Sequence, residues 1–163
     1  MAEVLVLPDV SVRSEVTFPM VSIIVNMARR PRIALPTAEV SSRMRNVATS
    51  GTVPELRVRR IVRSLGVRYT SRTDELPGRP DLFLPRHRIA VFVHGCFWHG
   101  CRRCFVPPKR NRAWWRDKIA CTQRRDRRKS HQLRQLGIST ITLWEHDDVE
   151  RIRRRLVSKL RRS

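Results

Sequence analysis

Acidic residues are scarce in this chain. Asp and Glu total 14 against 35 Lys and Arg, for a formal net charge of +21. Self-repulsion of that size opposes compaction, and a polyanionic partner relieves it. Nucleic acid is the first such partner to consider and an anionic membrane surface the second. Long apolar runs are also missing. None approaches the roughly 18–20 residues that a transmembrane helix needs, so a helical membrane anchor is not expected. A secretory leader is not expected either: the apolar stretch from Val16 to Val25 is broken by Pro19 and preceded by Glu3, Asp9 and Glu15 instead of positive charge, so it makes a poor signal peptide. Cysteine is sparse, at 4 residues, and three of them crowd into positions 96, 101 and 104, with the last at 121. That spacing is too tight for an ordinary disulfide framework, and it reads as metal binding in a reducing cytosol. The chain has no internal repeat. Its 163 residues and 40% hydrophobic content suit one domain, with part of the chain left uncovered by core.

Residues 1–40 carry no sustained period and are punctuated by Pro8, Pro19, Pro31 and Pro36. They are expected to form a poorly ordered arm, with one short strand near Val21–Val25, and Met20 and Met27 offer later starts. The folded domain is expected over 41–163. Ser41 to Ala48 suits a short helix. Thr52-Val-Pro-Glu55 then has the form of a capping box with proline in the first turn. Val58, Ile61, Val62 and Leu65 follow at helical spacing up to Gly66.

Val67–Thr70, Pro80–Leu84 and Ile89–Val93 read as three strands, the third apolar throughout and so central and covered on both faces. A long basic helix is expected from Asn111 to about Leu136, with Trp115, Ile119, Thr122, Leu133 and Leu136 facing inward, stopped by Gly137. Ser139–Trp144 alternates as a fourth strand. Val149, Ile152, Leu156 and Leu160 mark a last helix. The fold class is α/β (α+β): a small mixed sheet flanked by helices.

The chemistry concentrates in Ile89–Cys104, where an apolar strand runs into His94-Gly-Cys-Phe-Trp-His-Gly-Cys101. Cys96, Cys101 and Cys104 supply three soft ligands, and tetrahedral zinc wants four. His99, Cys121 and His146 are candidates for the fourth. His146 stands at the end of the fourth strand, which should lie beside the third, and is favoured on that ground. Four protein ligands make the site structural. Asp81 opens a strand that Pro80 already weakens as a ladder member, a poor place for an acid unless it holds a hard divalent cation. The backbone carbonyl of Val93 could share that ion. The bland alternative is a turn aspartate.

His94 and His99 are candidates for a general base. The adjacent Phe97 and Trp98 cannot both turn inward easily, so one or both suit base stacking or a duplex wedge. Trp115 at the start of the basic helix repeats the theme. Glu55 is explained as a capping residue and Asp126 as relief within an arginine run.

These motifs resemble the very-short-patch repair (Vsr) DNA mismatch endonucleases. The residues that carry the likeness are Gly78-Arg-Pro-Asp81, His94-Gly-Cys-Phe-Trp-His99, Trp115-Arg-Asp-Lys-Ile119, Arg125-Asp126 and Trp144-Glu-His146, with Ser42-Arg-Met-Arg45 and Glu55 in register. The resemblance implies a restriction-endonuclease-like core, a structural Zn2+ and a catalytic Mg2+. It implies nicking of one strand 5′ to the mismatched thymine of a T:G pair, the product of 5-methylcytosine deamination.

Carried over by position, Asp81 and the Val93 carbonyl would hold magnesium and His99 would be the general base. Glu55, His94 and Asp126 would support it. Phe97, Trp98 and Trp115 would enter the DNA beside the mismatch, and Met44 would reach in from the other groove. The chain departs from the family in its zinc ligands: Cys101 stands where some members use His, and His146 where Cys is common. The expected partner is mismatched double-stranded DNA, with mismatch-repair proteins as further partners, and the expected protein is a monomer in the bacterial cytoplasm at the nucleoid. Two alternatives remain: a Vsr-like nuclease of host defence with another DNA target, and a non-enzymatic zinc-bearing DNA-binding module.

Overall fold

A computed structural model describes residues 50–163, together with Ser42. The arm over 1–40, the helix expected from Ser41 to Ala48 apart from Ser42, and Met44 lie outside the described residues. Helix α1 spans Val53–Ser64. Thr52 is its N-cap, accepting from the Glu55 N–H at 3.5 Å. Glu55 reciprocates one residue further out than a standard capping box would. Its carboxylate accepts from the Gly51 N–H and from the Thr52 hydroxyl, both at 2.9 Å. The helix closes with Gly66 in the left-handed region, its N–H bonded to Arg63 O and that of Val67 to Val62 O.

Three strands form one mixed sheet: β1 (Leu82–Leu84), β2 (Ile89–His94) and β3 (Ser139–Trp144), in that order. β1 runs antiparallel to β2, with Leu82 opposite Val91, and β3 runs parallel to β2, with His94 opposite Trp144. A parallel pair needs a long crossover. Here that crossover contains the cysteine loop and helix α2 (Arg112–Gln135). Helix α3 (Val149–Leu160) follows β3 and is capped by Asp148, which accepts from the Arg151 N–H at 2.7 Å. Two expected features differ. Val67–Thr70 contributes only a bridge between Thr70 and Phe83, because the apolar alternation there is too short to sustain a strand. Proline at 80, with no N–H to give, delays β1 to Leu82.

The layers are helix, sheet, helix. On one face Val58, Ile61 and Val62 of α1 and Ile152 and Leu156 of α3 pack on Leu82, Leu84, Ile89, Val91, Ile141 and Leu143. On the other, Leu133 of α2 and Ile138 close over Ala90. Trp115, Ile119, Thr122 and Leu133 face inward as expected, but Leu136 is 52% exposed. The end of α2 explains why. Gly137 turns left-handed (φ 69), its N–H bonds Arg134 O, and the Ile138 N–H bonds Leu133 O at 2.9 Å. That closure folds Ile138, instead of Leu136, back onto Leu133. Arg88 caps the outside by donating to Leu136 O and Gly137 O. Among the described residues, no helix is long and apolar enough to cross a membrane.

Candidate functional site

β2 is buried over Ile89–Val91 and opens from Phe92 to His94. That open end forms the floor of a cleft of about 1370 Å3 lined by Glu55, Asp81, Val93, His94, His99 and Asp126 among others. These residues arrive on several different elements, with Val93 and His94 together at the end of β2. Glu55 comes from the first turn of α1. Asp81 precedes β1, and its Oδ2 accepts from the Val93 N–H at 2.7 Å, which fastens the acid to the neighbouring strand. Asp126 comes from the middle of α2.

Burial holds the Asp81 carboxyl above the usual carboxylate range, with the Glu55 charge adding to it and the Val93 N–H and Arg59 opposing. A carboxylate kept costly in its charged form, at the mouth of a polar cleft, is suited to a cation.

His94 and His99 stack, with ring centroids 3.6 Å apart and planes 12° apart. Burial first, and then His99, pushes His94 down to about 4, so its ring is neutral near pH 7. The Nδ1 of His99 lies 2.7 Å from Asp126 Oδ2. Burial pushes the Asp126 carboxyl up, but the His99 hydrogen bond and nearby positive charge outweigh it, and the group ends below its ordinary value. An anionic Asp126 therefore orients His99 through Nδ1, leaving Nε2 to act on a proton.

The cysteine loop sits beside this cleft. Cys96, Cys101, Cys104 and His146 bring their ligand atoms within 4.8 Å of one another. His146 Nδ1 is 2.9 Å from Cys96 Sγ and 3.7 Å from Cys101 Sγ. Of the three candidates for fourth ligand, His146 alone joins the thiols: Cys121 is exposed and His99 is turned to Asp126. The parallel register that places Trp144 opposite His94 brings His146 there.

The loop is pinned on several sides. Cys101 N–H bonds Cys96 O at 2.9 Å, and Glu145 Oε1 accepts from the Cys96 N–H at 2.8 Å. Gln123 of α2 donates to His99 O at 3.1 Å. Gly100 is required where it stands: φ is +62, and a Cβ would meet Ile119 and, at 2.8 Å, Gln123. Burial and neighbouring thiols raise Cys96. Burial also pushes Cys101 up, but the backbone N–H groups of Arg103 and Cys104 outweigh it and bring Cys101 down.

At the rim stand the aromatics. Trp98 is 39% exposed, Phe97 is half-buried, and Trp115 is buried beneath both, with its ring centroid 4.9 Å from that of Phe97 and 6.2 Å from that of Trp98. Trp115 thus supports the outer pair in this conformation and presents little surface of its own.

Sequence reasoning missed Asp147. It is 1% exposed, accepts from the Trp144 N–H at 2.9 Å and from Arg155 at 3.2 Å, and forms an ion pair with Arg151 at 2.8 Å, while Arg57 donates to its carbonyl. This ties the end of β3, and so His146, to α1 and α3. The spacing of Asp147, Arg151 and Arg155 at four-residue steps was the available signal.

The family model described as DNA mismatch endonuclease Vsr matches residues 34–104. The Type II nicking enzyme V.XorIIP of Xanthomonas oryzae pv. oryzae is 38% identical over 104 residues, covering 63% of this chain and 76% of that protein. The Type II nicking enzyme V.NmeAIP of Neisseria meningitidis is 33% identical over 111 residues, 67% and 79% of the two chains. The DNA mismatch endonuclease Vsr of Escherichia coli K12 is 36% identical over 107 residues, 64% and 68%. With its acid, paired histidines and cysteine cluster gathered at one end of a small mixed sheet, the chain belongs to the Vsr family of DNA endonucleases.

Proposed function

We propose that this protein nicks one strand of duplex DNA 5′ to the mismatched thymine of a T:G pair, with Mg2+ at Asp81 and Zn2+ at the cysteine cluster. The observation that carries the reading is the convergence, in one cleft, of Asp81 with the stacked His94 and His99 and the anionic Asp126. This is a general base with its orienting acid, set beside a carboxylate suited to a hard cation. The core that holds them is of the restriction-endonuclease-like kind.

Asp81 and the Val93 carbonyl would hold magnesium, which polarises the phosphate and neutralises charge developing on it. His99, aligned by Asp126, takes the proton from the attacking water. Neutral His94, stacked on His99, keeps that ring in the cleft and offers a further hydrogen bond. Glu55, fixed at the head of α1 with Arg59 3.6 Å away, completes the acidic side near Asp81.

Three thiolates and one imidazole match the donors of tetrahedral structural zinc, which closes the loop without joining the chemistry. Phe97 and Trp98 enter the duplex at the mismatch, where unstacking costs least, and Trp115 backs them. Met44 is assigned to the opposite groove. The protein acts as a monomer on chromosomal DNA in the cytoplasm, with mismatch-repair proteins as partners.

The test is incubation with end-labelled duplexes bearing each mismatch in varied sequence contexts, with and without Mg2+. A nick 5′ to the thymine of T:G, dependent on Mg2+, supports the reading. Cleavage indifferent to the mismatch moves the target elsewhere, and binding without cleavage leaves a DNA-binding module.

A further inference from the structure

One cation in the arginine-rich stretch of α2 behaves unlike its neighbours. In Arg124-Arg-Asp-Arg-Arg-Lys129 the four arginines are exposed, and only Asp126 and Lys129 are half-buried. These two lie three residues apart, on one side of the helix, and both line the cleft with Asp81 and the histidines. The stem of Lys129 has a groove made for it. Gly78 carries φ +87, and a Cβ there would stand 2.8 Å from Lys129 Cδ, 3.0 Å from its Cβ and 3.1 Å from its Cγ. Any side chain at 78 would therefore displace the lysine.

Gly78 belongs to the turn that leads through Pro80 to Asp81, so the lysine stem crosses directly beside the turn presenting the acid. No carboxylate among the described residues lies within ion-pair distance of Lys129. Its positive charge is nevertheless felt at both His94 and Asp126. Lys129 is half-buried along its stem and carries an unpaired ammonium at the cleft. It is retained at a position where its neighbours are arginines, and a lysine brings a compact point charge instead of a planar fork.

We propose that Lys129 is a catalytic residue: its ammonium binds a non-bridging oxygen of the scissile phosphodiester, and Gly78 exists to let its stem pass. The proposal rests on the endonuclease reading above. It explains why Gly78 is glycine and why one cation of the run is drawn inward. Lys129 moves no proton. It holds the phosphate against the Asp81 side of the cleft and offsets negative charge as the water oxygen adds.

The test uses the full-length, metal-loaded protein and single-turnover nicking of a T:G duplex at saturating protein. Lys129→Met keeps the stem over Gly78 and removes the charge. Its rate should fall on the order of a hundredfold, the usual loss for one charge-stabilising donor, with the thermal midpoint unchanged. Lys129→Arg should recover part of the rate. A duplex carrying a neutral methylphosphonate at the nick site should bind the wild type more weakly than the ordinary duplex, and the loss should be smaller for Lys129→Met, in which only the metal side of the cleft still meets the phosphate charge.

A Lys129→Met rate within about threefold of wild type overturns the assignment, as does a loss confined to duplex affinity with the saturated rate intact. If the wild type itself nicks no T:G duplex, the endonuclease reading falls and takes this one with it. Wild-type nicking with an undiminished Lys129→Met variant refutes Lys129 alone.

Discussion

Two polar clusters share the end of β2, and they are built on opposite terms. In the cluster of Cys96, Cys101, Cys104 and His146, two thiols are buried, and the ligand atoms face one another within 4.8 Å. Backbone hydrogen bonds close its loop, and Glu145 and Gln123 hold that loop from outside. The cluster of Asp81, His94, His99 and Asp126 is half-buried and opens into the cleft. Each of its members is held by a partner on another element, Asp81 by Val93 and His99 by Asp126. A metal held by all four ligands would leave the first arrangement no position for a substrate, whereas the second opens to the cleft. A site that only fixes shape can satisfy itself, whereas a site that does chemistry must keep polar groups poised and incompletely satisfied. The two should therefore fail differently.

The largest effect is expected at Asp81. Asp81→Asn should lower nicking by about a thousandfold or more, since a divalent ion contributes several kcal/mol to transition-state charge stabilisation. The same change should leave the metal-free fold as stable or more so. The direction follows from proton linkage. The folded-state value of Asp81 lies above its ordinary 3.8, so the folded protein holds this proton more tightly than the unfolded chain does. The stabilising contribution is present below pH 3.8 and is lost as pH rises through the raised value, so at neutral pH the buried charge opposes folding. Thermal melts of wild type and Asp81→Asn at pH 7, in chelator, check this. A markedly lower midpoint for the variant would mean that Asp81 stabilises the fold and is no costly catalytic acid.

The cysteine cluster should show the reverse pattern. Cys101→Ser should cost on the order of 3 kcal/mol or more in stability, because binding energy at a structural metal is folding energy. Bound zinc should fall in metal analysis, and nicking should be lost through the loop, recovering in part at low temperature. His146→Ala should do the same, whereas Cys121→Ser should retain full metal. A Cys101→Ser protein that keeps its zinc and its midpoint would erase the distinction between the clusters.

Asp126→Asn comes next. The Asn side chain still reaches His99 but cannot hold its proton at Nδ1 by charge. The saturated nicking rate should fall about a hundredfold, within the range for general-base catalysis, with little change in duplex affinity. An equal loss in affinity and none in rate would make Asp126 a structural residue of α2.

The sequence made the central strand, the three helices and the Cys/His cluster legible, because each rests on local pattern. Hydrophobic period marks Ile89–Val93 and Val149–Leu160, and ligand spacing marks the cysteines. Adjacency of β2 and β3 in a parallel pair was enough to bring His146 to Cys96. What stayed hidden depends on tertiary packing. Leu136 fits the inner stripe of α2, yet a helix closure that folds Ile138 back onto Leu133 takes its place. From its local pattern Asp126 reads as charge relief, and only the family resemblance gave it a supporting role; its contact with His99, 27 residues away in sequence and 2.7 Å away in space, needed the fold. Lys129 is one cation among many until the glycine it crosses is known, and the four-residue spacing of Asp147, Arg151 and Arg155 does not by itself tell that the acid is buried.

The smallest effects are expected at the rim, where the same contrast between self-satisfied and exposed groups recurs within the aromatics. Trp98 is 39% exposed and Trp115 is 8% exposed. If the outer ring reads DNA, Trp98→Ala should weaken binding to T:G duplex by about tenfold, the lower end of a base-stacking contribution of roughly 1–3 kcal/mol. Binding to matched duplex should change less, because the arginines and lysines that supply phosphate contacts remain. Trp115→Ala should instead lower the thermal midpoint, since it removes the ring on which Phe97 and Trp98 rest, with a stability cost of about 3–5 kcal/mol for a buried tryptophan. Comparing affinity ratios and melts for the two variants separates the roles. If Trp98→Ala weakens matched and mismatched duplex equally, the exposed ring is only another general contact, and selection for the mismatch must come from elsewhere in the cleft.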